Sequence, residues 1–278
     1  LLYLYYQNNI GDIIDIPQIG GDNMKSSFEI FYGHKKSLDD VIGNEEAKDE
    51  IEKILDMIKH PKKYTNIGAI IPKGVLLYGP PGTGKTLMIK ALAKECNLPL
   101  INTTGSSFCE MYVGVGASRV KKLFKLAKKI KPCIIFIDEI DAVGRSRSKD
   151  SNGGDAERAS TLNQLLAEMD GFADINDIIV IGSTNRKKLL DSALLRAGRF
   201  DQHINFTLPD KVDRKNLFKY YLSKRKTNVN MNKICNQYAK LTAGMSGADI
   251  STICNDASIT AVRKNKKFVE SDDVVESY

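Results

Sequence analysis

Metal ligands, long apolar runs and clustered cysteines are all scarce in this chain. It has three histidines in 278 residues. It has no His-Glu-x-x-His arrangement either, so this stretch lacks the helix face and general base of zinc-dependent peptide hydrolysis. The five cysteines (Cys96, Cys109, Cys133, Cys235 and Cys254) are odd in number and widely spaced. They make neither a metal cluster nor a disulfide framework, which points to a non-disulfide fold and a reducing compartment. No run of 18 apolar residues occurs, which excludes a membrane-spanning helix within the sequence given. The net charge of +7 is dispersed. Its densest cluster, Lys121, Lys122, Lys125, Lys128, Lys129 and Lys131, lies on the polar side of a predicted helix with Phe124 on the other side. That pattern reads as a solvated face, not a nucleic-acid footprint.

Against these absences stands one motif. Gly79-Pro80-Pro81-Gly82-Thr83-Gly84-Lys85-Thr86 fits the phosphate-loop spacing, in which two glycines bracket four residues and are followed by Lys and Thr. Gly74 to Tyr78 reads as a buried strand before it, and Leu87 to Lys94 as a helix after it. The glycines let backbone N–H groups turn toward a phosphate, and the helix N-terminus adds its positive end. Lys85 is expected to reach the terminal phosphates and the Thr86 hydroxyl to hold magnesium. The chain therefore reads as a binder of a nucleoside triphosphate.

The remaining pattern gives an α/β fold. Leu1 to Tyr6 lacks an initiating Met and reads either as the tail of an upstream segment or as an edge strand. Residues 7–36 read as linker and lead-in, and the whole reads as a piece of a longer chain. Asn44 is placed to cap a helix carrying Ile51, Ile54, Leu55 and Ile58, closed by Pro61. Continuous apolar runs at Cys133–Ile137 and Ile178–Gly182 predict strands buried on both faces of a parallel sheet. Amphipathic helices are predicted over Arg119–Lys131 and Glu157–Met169, with a polar loop over Arg145–Gly154 between the latter helix and the first of those strands. Ile204 to Leu208 alternates and reads as a last strand, and Pro209-Asp210 marks a boundary. Beyond it only helices are predicted, over Asp213–Lys224, Met231–Lys240 and a run capped by Ser246 or Asp249, with another opening at Ser271 or Asp272. The expected domains are 37–209, a large α/β nucleotide domain, and 210–278, a small helical lid.

Asp138 ends the first of the buried strands and is positioned to hold magnesium through water, with Glu139 beside it as general base for the attacking water. Asn185 ends the neighbouring strand, where its amide can orient that water, sense the terminal phosphate, or simply cap a turn. Pattern alone does not assign Arg196 and Arg199: each is either a surface ion-pair partner or the arginine finger that phosphoryl transfer calls for.

Four stretches, Gly79–Thr86, Ile134–Asp141, Ser183–Arg186 and Leu194–Asp201, together resemble the AAA family of ring-forming ATPases. Phe108–Val120 and Thr161–Phe172 narrow the resemblance to the ATPase module of the FtsH group, membrane-anchored ATP-dependent zinc metalloproteases. The likeness runs from about Leu38 to the C-terminus. It implies a P-loop NTPase (AAA+) fold, a parallel sheet flanked by helices and followed by a small helical lid, with ATP/ADP and Mg2+ as ligands. Residue by residue, it implies that Lys85 and Thr86 bind ATP and magnesium, Asp138 coordinates the metal, Glu139 activates water and Asn185 senses phosphate. It also implies that Arg196 and Arg199 reach a neighbouring subunit's site in a hexamer. Val41, Ile42 and Gly43 match the stretch beside the adenine. Pro81, Gly82, Thr83, Gly84 and Leu87 belong to the phosphate-binding segment, and Gly247 and Ala248 to the lid turn near the nucleotide. Tyr112-Val113-Gly114 resembles the pore loop that grips polypeptide, and Asp170-Gly171-Phe172 the segment that passes nucleotide state between subunits. Leu38, Ala197 and Lys187 stand where the family usually has Phe, Pro and Pro, and Tyr112 where Phe is more frequent. None of these removes a catalytic group.

The resemblance further implies a membrane anchor upstream, a zinc protease domain downstream as the only Zn2+ site, and unfolded or membrane proteins as substrates. Nucleic acid is not an expected partner. The compartment expected is a bacterial inner membrane, a mitochondrial inner membrane or the membrane of a plastid-derived organelle. Three rivals stay open on sequence: a stand-alone AAA unfoldase or proteasomal-type subunit, a nucleotide-gated binding module without turnover, and a helicase.

Overall fold

The computed structural model describes residues 28–33, 37–109, 114–145, 153–171, 177–228 and 230–276. Several of the readings above lie outside them: Leu1–Tyr6 and most of the lead-in, Tyr112 and Val113 of the predicted pore loop, much of the Arg145–Gly154 loop, and Phe172. In chain order the elements are β1 (Glu29–Phe31), α1 (Glu45–Lys59), α2 (Pro61–Thr65), β2 (Gly74–Tyr78), α3 (Lys85–Cys96), β3 (Leu100–Thr104), α4 (Val115–Ile130), β4 (Cys133–Asp138), α5 (Asp141–Gly144), α6 (Gly153–Asp170), β5 (Ile178–Thr184) and β6 (Phe200–Asn205). Four helices follow: α7 (Lys211–Ser223), α8 (Met231–Leu241), α9 (Gly247–Arg263) and α10 (Ser271–Glu276).

The chain divides into two compact units, one of residues 1–38, 49–79 and 86–205, the other of 39–48, 80–85 and 206–278. The first holds the sheet. Among the described residues its strand order is β1-β3-β4-β5-β2-β6. All neighbours run parallel except β1, which pairs antiparallel with β3 through Glu29↔Asn102 and Phe31↔Leu100. β4 and β5 are apolar without alternation because both faces are covered: Ile134 to Ile137 and Ile178 to Ile181 are all buried. Helix α4 contributes Val120, Leu123, Phe124 and Ala127 to this core, and α6 contributes Leu162, Leu165, Leu166 and Met169. The lysine cluster of α4 faces solvent.

In the second unit α7, α8 and α9 bury Leu217, Phe218, Tyr238, Ile250, Cys254 and Ala257, and Ile42 packs against that core. Capping boxes start two of its helices, Asp210 with Asp213 on α7 and Ser246 with Asp249 on α9. Each satisfies N–H groups that a helix start leaves without intrahelical partners. The two capping candidates for α9 thus work as a pair.

Three local readings need correction. The segment read as lead-in contains β1, a three-residue strand that exists only through its pairing with β3. The last strand of the sheet runs over Phe200–Asn205, several residues earlier than the alternation at Ile204–Leu208 suggests. Its ladder with β2 stops at Tyr78↔Asn205, and Phe206 is buried beyond the pairing. Asn44, finally, has a left-handed backbone (φ 57°) instead of the extended one of an ordinary helix cap. Its side chain accepts from the Thr207 N–H (2.8 Å) and donates to the Thr83 carbonyl (3.4 Å).

Candidate active site

Where the parallel strands end at their carboxyl edge, the apolar runs of β4 and β5 give way to polar residues. Asp138 is held there by three donors. Its Oδ2 accepts from the Thr86 hydroxyl at 2.9 Å, and its Oδ1 from the Ser183 hydroxyl and the Glu139 N–H, the latter at 3.0 Å. A hydroxyl and a carboxylate converging from α3 and β4 supply the hard oxygen donors that magnesium takes while keeping several waters. The residues therefore fit that ion.

Glu139 is exposed and carries φ 51°, an uncommon backbone for a residue with a side chain, costing about 1 kcal/mol or more. The strain is fixed from both sides. Ile140 N–H donates to the Ser183 carbonyl (2.9 Å), and Ala142 N–H donates to the Glu139 carbonyl (3.0 Å). A carboxylate presented to solvent beside a well-held one suits a general base next to a metal ligand.

Asn185 follows directly on β5. Thr184 before it donates its hydroxyl to Asp141 (2.6 Å), accepts from the Arg186 N–H (2.9 Å), and offers its carbonyl to the Gly79 N–H (3.3 Å). The turn that presents the exposed Asn185 amide is therefore bound to the residue that opens the phosphate loop. Ser183, Thr184 and Asp141 were not given roles by sequence reasoning. Their signal was present, since hydroxyls and a carboxylate at the end of continuous apolar strands have no packing reason to be there.

Within the helical unit the loop residues fold on themselves. The Thr83 hydroxyl and the Lys85 ammonium both donate to the Pro80 carbonyl, each at 2.8 Å. Lys85 is 7% exposed, so its charge is aimed into the loop. A charged phosphate oxygen is a stronger acceptor for it than a neutral carbonyl. Gly82 has φ +72°, and a Cβ there would lie 2.5 Å from the Ser246 hydroxyl and 2.9 Å from the Ala248 Cβ, so no other residue fits. The Ala248 N–H donates to the Gly82 carbonyl (3.2 Å), and Gly247 lies alongside. Pro81 is exposed, while Gly84, Thr86 and Leu87 are half-buried. Val41 is buried, Ile42 packs on the helical core, and Gly43 lies against the Asp213 carboxyl, which burial raises above the usual range.

The two arginines differ. Arg199 forks onto Asp170 of its own chain through Nε (2.9 Å) and Nη2 (2.8 Å), and its Nη1 donates to the Ala193 carbonyl (2.7 Å). The hydrogen bonds from Arg199 hold the Asp170 carboxyl below the usual carboxylate range. Arg196 is exposed at the end of a 3-10 turn, its carbonyl accepting from the Arg199 N–H (3.1 Å).

Of the predicted pore loop, Gly114 is described. It precedes α4 with φ 83° and has no side chain to cap that helix. Glu157 of α6 does so instead, its carboxylate accepting from Gly114 N–H (2.8 Å) and Gly116 N–H (3.3 Å). Sequence reading missed Glu157, which is buried and reads there as one more polar residue opening a helix. Among the described residues no group of three or more His, Cys, Asp or Glu side chains could hold a metal.

Comparison with known proteins agrees with this geometry. Residues 75–208 match the ATPase family associated with various cellular activities (AAA), and residues 236–276 match the AAA+ lid domain. The chain is 52% identical over 240 residues to the ATP-dependent zinc metalloprotease FtsH of Parabacteroides distasonis, covering 86% of this chain and 35% of that protein. Identity to the protein of that name from Karelsulcia muelleri is 50% over 256 residues, covering 91% and 41%. For ATP-dependent zinc metalloprotease FtsH 1 of Salinibacter ruber it is 44% over 272 residues, covering 98% and 39%. The chain thus spans between 35% and 41% of the length of these relatives.

Proposed function

Because the chain belongs to the FtsH family of AAA ATPases, we propose that it is the motor of a longer ATP-dependent zinc metalloprotease, hydrolysing ATP to unfold and translocate polypeptide. In this reading 37–209 is the nucleotide domain and 210–278 its lid. The observation that carries it is the Thr86–Asp138 contact at 2.9 Å, with Glu139 presented beside it. Thr86 and Asp138 would hold magnesium, which would supply charge neutralisation at the phosphate oxygens. Lys85 and the loop N–H groups bind the phosphates. Val41, Ile42 and Gly43 flank the adenine, and Gly247 and Ala248 belong to the lid turn near the nucleotide. Glu139 orients the attacking water and takes its proton, and Asn185 fixes that water relative to the terminal phosphate.

Arg196 and Arg199 act on a neighbouring subunit's nucleotide, which makes hydrolysis a property of an oligomer, a hexamer in the complete protein. Tyr112, Val113 and Gly114 grip substrate, since an aromatic supplies contact area without demanding a particular sequence. Peptide hydrolysis and Zn2+ belong to a domain outside this chain. The complete protein works at a bacterial inner membrane, a mitochondrial inner membrane or a plastid-derived membrane, on membrane and unfolded proteins.

The test is ATP hydrolysis per subunit across a wide protein concentration range. The expected rate rises with concentration, because anchor and protease ring normally raise the effective concentration of the subunits. It disappears in Glu139→Gln and in Arg199→Ala. Full activity in dilute monomer, unchanged in Arg199→Ala, would sink the shared-site mechanism.

A further inference from the structure

We propose that Lys187 is a positioning residue for Asn185, clamping the turn after β5 onto the strand that enters the phosphate loop. The inference rests on the reading of Asn185 as the group that fixes water against the terminal phosphate. The Lys187 ammonium lies 4.0 Å from the centroid of the Tyr78 ring. It is also 3.3 Å from Nδ1 of His203 on β6. The roles in that second contact are settled by chemistry. His203 Nε2 is 2.8 Å from the Phe200 carbonyl, which only accepts, so Nε2 carries the proton. Nδ1 is then left with a lone pair, and an ammonium, which only donates, fills it.

The consequence lies in where the three residues sit. Tyr78 is the last residue of β2 and is followed directly by Gly79. It pairs with Thr184 on β5 and with Asn205 on β6. Asn185 is thus flanked on both sides by ties to β2. On its N-terminal side the Thr184 carbonyl accepts from Gly79 N–H, and on its C-terminal side Lys187 covers the Tyr78 ring. The far end of the turn is held elsewhere, by Asp191 N–H on the Gly144 carbonyl (2.7 Å). Lys187 is the side chain that fixes the near end. An ammonium over an aromatic face is drawn to the negative potential of the ring while keeping part of its hydration. Lys187 and Tyr78 are both half-buried, which allows that. Loss of the charge removes the tie to β2 on the C-terminal side of Asn185 and leaves there the turn's own hydrogen bond from Arg186 N–H to Thr184, so the amide spends less time in the geometry that hydrolysis needs.

The experiment measures kcat and KM for ATP in Lys187→Met, Lys187→Arg, Tyr78→Leu and Tyr78→Phe, at a protein concentration where the wild-type rate per subunit is saturated. Nucleotide affinity is measured in parallel with a fluorescent ATP analogue. Lys187→Met and Tyr78→Leu are expected each to lower kcat about two- to fivefold, the range that a partly exposed cation–π contact supports. KM and nucleotide affinity change by less than about twofold, because uniform binding is untouched. The double variant loses no more than either single one, since both remove the same contact. Arginine, which also stacks and donates, and phenylalanine, which keeps the ring, restore most of the rate. Wild-type kcat in Lys187→Met, or losses that add in the double variant, would overturn the assignment. So would a fall in kcat matched by an equal fall in melting temperature across all four variants. Asn185→Ala tells the two layers apart: wild-type kcat in that variant sinks the reading of Asn185 itself, whatever Lys187 does.

Discussion

Arg214 gives the sharpest stability prediction. It lies on α7 with only 8% of its surface exposed and, among the described residues, pairs with no carboxylate. Instead its guanidinium donates to two backbone carbonyls, through Nε (3.2 Å) and Nη2 (2.8 Å) to Ala239 and through Nη1 (2.8 Å) to Pro209. Ala239 is in the last turn of α8, where carbonyls have no intrahelical partner and the helix dipole is negative. Pro209 immediately precedes the cap of α7. One side chain therefore closes the end of one helix and fastens the start of another. Arg214→Met keeps much of the apolar stem and removes all three donors. At about 1 kcal/mol for each hydrogen bond the loss is about 3 kcal/mol, and both carbonyls are left buried. Arg214→Lys keeps the charge without the fork and loses about half as much. Native-state hydrogen exchange of the α7–α9 amides reads the effect directly. A 3 kcal/mol loss accelerates exchange through opening of the helical unit by about 100-fold. Exchange in Arg214→Met within about twofold of wild type would refute the reasoning, and the backbone contacts would then be incidental.

Two further predictions concern titration. The Arg199 fork lowers the Asp170 carboxyl, so the pair contributes its full stability above the usual carboxylate pKa and loses it as pH falls through the lowered value. The Asp170 side-chain carbon should titrate below the ordinary range of about 3.9 by NMR. In Arg199→Ala it should return to that range, and an unchanged midpoint there would exclude the pair as the cause. Burial pushes the Cys133 and Cys254 thiols up to about 12. At pH 8 both are expected to resist iodoacetamide in the native chain and to react in urea; rapid native labelling at either would contradict the packing described.

The elements that sequence reveals are those whose burial is complete or whose chemistry is local. β4 and β5 announce themselves as continuous apolar runs because both faces are covered, and the phosphate loop is a contiguous motif with a strand before it and a helix after it. Asp138 and Glu139 follow, since carboxylates at the end of such a strand have few other reasons to be there. What the sequence conceals is set by distant partners. β1 has too few residues for a pattern and takes its identity from β3, about 70 residues on. Glu157 caps a helix that begins 42 residues before it, because Gly114 brings no side chain of its own. Asn44 reads as an ordinary cap and Arg214 is given no role; Asn44 serves backbone groups of Thr83 and Thr207 and Arg214 that of Ala239, and nothing in their neighbours' identity signals this. The Lys187–Tyr78–His203 contact joins the end of β2, the turn after β5 and a residue within β6, and only the sheet order makes them neighbours.

That sheet order also bears on how the protein is made. β2 lies between β5 and β6, so the strand that carries the phosphate loop has no partner until about 100 further residues have been synthesised. At about 5–20 residues per second, the apolar Val75, Leu76 and Leu77 spend about 5–20 s on the nascent chain without the sheet that will cover them. β3 and β4 can pair with each other well before that. Pairings of this sequence separation are slow to form, and an unpaired apolar strand is a site for wrong association. The strand that carries the phosphate loop is thus, while the chain is being made, a candidate client for a chaperone.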